Sequence, residues 1–126
     1  MAIEIIREPG VVDLGYTQLS GALLWNDRTH ELTVRAGSGY SDLLATDMIF
    51  DQHGQVAIHV ASGRVAIERW GAGKHMIEAL TAADVLEPIG EHVIGDLVVA
   101  ELRVLTRAAR EAKSIHEAAM PVFSHA

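Results

Sequence analysis

The residues with the most chemistry to offer lie between positions 47 and 75. Trp70-Gly71-Ala72-Gly73-Lys74 is a short glycine loop that ends on a lysine, set between a segment of strand character and one of helix character. At such a junction free backbone N–H groups and the helix dipole favour an anion. The amides of Gly73, Lys74 and His75, with the Lys74 ammonium, would hold a carboxylate or phosphate. The loop is not a P-loop, which needs a glycine where Glu68 stands and a serine or threonine where His75 stands. A flexible glycine turn after a strand is the plainer use of the same residues.

Just upstream, a hairpin over residues 55–70 that turns at Ser62-Gly63 pairs Val60 with Val65 and Ile58 with Ile67. Its other face then carries His59 diagonal to both Glu68 and Arg64. A histidine beside a carboxylate is an oriented general base, and Trp70 and His53 would complete a shallow polar pocket. The candidate catalytic residues are therefore His59, Glu68 and His75. The candidate ligand-binding residues are Gly71, Gly73, Lys74, Arg64 and Trp70. No nucleophile is placed beside them, and the same charges suit a solvated sheet face.

The seven histidines do not make a metal motif: none are four apart, and neither His-Glu-x-x-His nor Glu-x-x-His occurs. Asp51, His53 and His59 across the hairpin are the nearest approach, and no metal or other cofactor is expected. Asp47 and Asp51 flank Met48-Ile49-Phe50, as paired carboxylates on one strand face or as turn formers. Ser38 lies between two glycines but lacks the frame of a nucleophile elbow. The absence of cysteine excludes disulfides, thiolate metal centres and a thiol nucleophile.

These residues need elements to hold them. Asn26-Asp27-Arg28-Thr29 reads as the turn of a first hairpin over 22–36, with Trp25 opposite His30 and Leu23 opposite Leu32. Leu23, Trp25, His30, Leu32 and Val34 then share one face. Met48–Asp51 joins the second hairpin through Gln52-His53-Gly54, and Ile3–Ile6 is an edge candidate. Ser41–Thr46 reads as a turn or two of helix, and Lys74–Val85 as a helix with Met76, Ile77, Leu80 and Val85 inward. Val98, Leu102, Leu105, Ala109, Ala112 and His116 recur at helical spacing, so residues 93–120 read as one long helix that Pro121 ends. A strand followed by glycines near 37 and again near 71 suggests an old ββα duplication.

The expected fold is α+β in a single domain, 1–126: an antiparallel sheet of five or six strands over residues 3–70, packed by a C-terminal helix over 93–120. Nine of the eleven glycines fall before residue 74, which matches strands and turns followed by helix.

A chain of 126 residues is long enough to bury a core of its own. Its formal net charge of −7 disfavours binding a phosphate backbone. Arg103, Arg107 and Arg110 are interspersed with Glu101, Glu111 and Glu117, as on a solvated helix face, so no nucleic-acid partner is expected. Glu4, Arg7 and Glu8 break any leader-like apolar run, and no stretch approaches the length that spans a bilayer. No membrane partner is expected, and the cytoplasm, the host's own or that of an infected cell, is the expected compartment.

The first half of the long helix is apolar around most of its circumference, more than one sheet face can cover. That points to a homo-oligomer with Leu97, Val98, Leu102 and Leu105 at the interface. The function expected from sequence is a small self-associating interaction or assembly protein, an accessory subunit or a small virion or phage component. The alternative is a small enzyme or ligand-binding domain that takes an anionic small molecule at Gly71–Lys74 with a His/Glu acid–base pair.

Overall fold

A computed structural model describes residues 3–37 and 39–119. Ser38, His125 and the segment 121–126 lie outside the described residues, as do the side chains of His116 and Glu117. The fold is α+β. Seven strands form one antiparallel sheet: β1 (Ile3–Asp13), β2 (Gln18–Asn26), β3 (Glu31–Arg35), β4 (Ser41–Thr46), β7 (Arg64–Glu68), β9 (Leu97–Val104) and β8 (Leu86–Ile94), in that spatial order. β5 (Met48–Phe50) and β6 (Val56–His59) form a separate two-stranded sheet. The helices are α1 (Gly71–Ala82) and α2 (Arg107–Ala119). No helix among the described residues is long and apolar enough to cross a membrane.

The first hairpin forms with a register two residues away from the expected one. Trp25 faces Leu32 and Leu23 faces Val34, because the loop runs through Asp27–His30 and His30 takes a left-handed φ of 57°. Strand alternation repeats every two residues, so this slip leaves every side chain on its expected face. Leu23, Trp25, Leu32 and Val34 are buried, and the His30 ring lies 6.3 Å from that of Trp25.

Three expectations fail because strand pairing overrides the local pattern. Ser41–Thr46 is not helical but strand β4, paired along β3 and touching β7 at Thr46–Ala66. This also removes the ββα duplication, since the first glycine pair leads into a strand and the second into a helix. The Ser62-Gly63 turn forms, with Arg64 N–H donating to the Ala61 carbonyl at 3.2 Å. Yet β6 and β7 do not pair with each other: β6 pairs with β5, and β7 is zipped between β4 and β9. Finally, residues 93–120 are not one helix. Gly95-Asp96 is the tight turn of the β8–β9 hairpin, with Gly95 at φ +60°, and helix begins only at Arg107.

The middle of β7 and β9 is buried on both faces, while Arg64 and Arg103 at one end reach solvent. Val65, Ile67, Ala100, Leu102 and Val104 join the main core, which draws on β1 to β4, on Leu86 of β8 and on Met76, Ile77 and Leu80 of α1. On the other side Ala66 and Val99 meet Ile58 and Val60, with Ile49 and Ile94 packed against them. The β5–β6 sheet is thus a small second layer over the middle of the main sheet. Its outer rim remains open.

Candidate functional site

The glycine loop of the sequence is the first turn of α1. Gly71 starts it at φ +58°, Trp70 caps it without a side-chain hydrogen bond, and the Lys74 amide bonds the Trp70 carbonyl at 3.4 Å. Gly73 is needed for packing: a Cβ there would run into the Glu68 carbonyl oxygen at the end of β7. Lys74 and His75 are exposed on this turn. His75 abuts Gly15 through its backbone, and a Cβ on Gly15 would lie 2.7 Å from the His75 carbonyl oxygen.

His59 is held by Asp47, its Nε2 lying 2.9 Å from Asp47 Oδ2. Asp47 is buried, and its other carboxylate oxygen accepts from the Thr46 hydroxyl at 3.1 Å. The Asp47 carbonyl also accepts from the Val60 amide at 2.9 Å. Asp47 therefore ties the corner between β4 and β5 to the end of β6. The His59 side chain remains 60 % exposed. The geometry is that of a carboxylate orienting an imidazole, but His59 faces open solvent rather than a cleft.

Arg64 belongs to a different cluster. On the face of β7, β9 and β8 that carries Val99, Arg64 Nη1 donates to Glu101 Oε2 at 2.5 Å, and His92 Nε2 lies 2.6 Å from Glu101 Oε1. The hydrogen bond from His92, followed by that from Arg64, holds the Glu101 carboxyl below its ordinary range. Arg103 and Lys113 both approach Glu87, at 3.6 and 3.1 Å. These alternating charges make a solvated face. Among the described residues no three His, Asp or Glu side chains gather as a metal site would require.

Neither Lys74, His75 nor His59 lines any of the four main clefts. Glu68 and Trp70 do. They meet Ile49, Phe50, Ala57, Ile94 and Leu97 in a cleft of about 360 Å³ between the rim of the β5–β6 layer and the tip of the β8–β9 hairpin. Asp51, Gln52 and His53, in the turn between β5 and β6, complete it. The Asp51 carboxylate shapes that turn by accepting from the His53 and Gln55 amides at 2.8 and 3.0 Å. The cleft walls are apolar and aromatic, the acidic side chains on them are Asp51 and Glu68, with His53 beside them, and no lysine or arginine lines it.

The four residues expected at an interface divide between core and surface. Leu102 and Leu105 are buried, at 0 % and 2 % exposure, because their strand and the turn after it face the core rather than a neighbour. Leu97 and Val98 lie at the hairpin tip, Leu97 exposed and Val98 half-buried. Sequence reasoning missed Phe50, Ile49 and Ile94. The run Met48-Ile49-Phe50, apolar at three successive positions in a short strand, was the available signal, since alternation must put at least one of them outside. No family model, characterised protein or solved structure matches this chain.

Proposed function

We propose that this protein is a small interaction and assembly protein that associates with copies of itself through the cleft at the β8–β9 tip. One observation supports this reading: Phe50, Leu97 and Trp70, exposed by 55, 48 and 38 %, converge on a single acid-rimmed cleft. A contiguous apolar patch with aromatic side chains and a polar rim is the ordinary character of a surface that meets another protein. The association now rests on the strand residue Leu97 and its neighbours, not on a long helix.

The rival reading, a pocket for an anionic small molecule, has less support. Lys74 and His75 lie outside the main clefts, and Gly73 is accounted for by helix–strand packing. Light scattering on the purified chain tests the proposal. The wild type is expected at a multiple of its 13.6 kDa chain mass at micromolar concentration, and Leu97→Asp at the monomer mass with unchanged thermal unfolding. A wild type that stays monomeric at every accessible concentration refutes it.

A further inference from the structure

The main sheet has two edges, and they differ. It ends at β1 on one side and at β8 on the other. β1 is broken by two register shifts, holds Pro9, and carries Glu4, Arg7 and Glu8. Shifts, proline and charge are the usual devices that keep an edge from pairing with another chain. β8 has one shift, between Pro88 and Gly90. From Gly90 to Ile94 its register against β9 is regular. Val93 in that stretch is 71 % exposed, more than any other large apolar side chain among the described residues.

The backbone of this stretch has a definite direction. Ile94 and Leu97 close the two-residue Gly95-Asp96 turn, so they form a hydrogen-bonded pair. Bonded and non-bonded pairs alternate along an antiparallel ladder. Val93–Val98 is therefore non-bonded, and Glu91–Ala100 repeats it. The β9 side agrees: the Val98 carbonyl turns away from β8 and accepts from the Arg69 amide at 3.0 Å. The N–H and C=O groups of Glu91 and Val93 thus point away from β9, where no described strand meets them. Pro88, opposite Leu102, has no N–H to offer, so the usable edge stops at the shift.

From this edge we infer that two copies of the chain pair β8 against β8, antiparallel, about a two-fold axis at His92. The inference rests on the self-association proposed above and names the strand that carries it. His92 is the midpoint of the regular stretch, so this register uses all of it. Glu91 of one copy stands opposite Val93 of the other, each such pair exchanges two N–H···O=C bonds, and the axis makes two such pairs. Glu91 is already held by Arg69 at 2.9 Å, so the carboxylate beside Val93 is a neutralised one. An axis at Glu91 would oppose like carboxylates, and an axis at Val93 would run the pairing into the Gly95 turn. The axis stands perpendicular to the sheet, so the two main sheets join as one and both clefts open on the same face. Ile94, in the cleft wall, lies opposite Gly90 of the other copy. Each copy uses this edge once, so assembly closes at two chains.

The chain has no cysteine, so a single introduced thiol reports the contact. At the axis, His92→Cys forms a non-hydrogen-bonded pair with about 4.5 Å between Cα atoms, inside the range of a disulfide. Mild oxidation is expected to convert most of His92→Cys to a covalent dimer and to leave Ile3→Cys, on the β1 edge, as single chains. Val93→Pro removes an N–H that β9 does not use. It is expected to fold yet run at the single-chain mass in light scattering, where wild type runs at twice 13.6 kDa. Thermal unfolding checks the fold, and where proline lowers the transition the cysteine variants decide. The edge pairing is overturned, and association through the cleft alone survives, if wild type is dimeric but His92→Cys cross-links no faster than Ile3→Cys. A folded Val93→Pro that dimerises like wild type, or a wild type that grows past two chains, overturns it equally. If wild type itself is monomeric, both readings fail.

Discussion

Gly73 carries an unusually specific burden for a residue with no side chain. The first turn of α1 lies so close to the end of β7 that a methyl group at 73 collides with the Glu68 carbonyl. Gly73→Ala must push helix from strand, and overpacking of this kind costs about 1–3 kcal/mol, a loss that urea unfolding would measure. Because Glu68 belongs to the cleft, the same change should disturb association as well.

Glu101 tests a different force. Its carboxyl is held below the ordinary value of 4.5 by His92 and Arg64, so the native state favours the ionised form. The resulting stability is present above the unfolded-state pKa and is lost as pH falls through the lower native one. Glu101→Gln should therefore cost on the order of 1 kcal/mol near neutrality, discounted for partial exposure of both cations. The gap to wild type should close as the pH drops below the carboxylate range. A gap that holds constant with pH would show that the charge contributes nothing.

Among the elements, β9 was hardest to read from sequence. A strand buried on both faces loses the alternation that identifies strands, and its run from Leu97 to Val104 fits a helical repeat equally well. Gly95-Asp96 between Ile94 and Leu97 was the local sign of a hairpin, and Pro88 is tolerated because β8 is an edge. β7 was legible as a strand but its partners were not: they are β4 and β9, one of which lies more than thirty residues away. What was legible depended on neighbours in sequence. The faces of the first hairpin, the β5 turn at Gln52-His53-Gly54 and the inward Met76, Ile77 and Leu80 of α1 formed as expected, although α1 runs Gly71–Ala82 and Val85 is buried beyond its end. Of the site, Trp70, Glu68 and Leu97 were singled out from sequence, but what unites them is a cleft between two sheets, which no local pattern encodes. The strand assignment has its own test. Leu102→Ala should cost about 2–5 kcal/mol as a core cavity, whereas Leu97→Ala should cost under about 0.5 kcal/mol in stability. On one helix with a common apolar face the two would cost similar amounts.

At the scale of the whole molecule, one core is enclosed by the main sheet and α1, a second small one lies under β5–β6, and the apolar cleft at the β8–β9 tip stays open. A chain with net charge −7 repels its own kind at long range. Any self-association must therefore come from short-range apolar contact and strand pairing, which moderate salt should not weaken. The most direct measurement is the native mass of the wild-type chain across a concentration series, beside Leu97→Asp. A mass that rises with concentration in the wild type and stays at 13.6 kDa in the variant is the predicted result. A wild type fixed at the single-chain mass throughout would contradict the account.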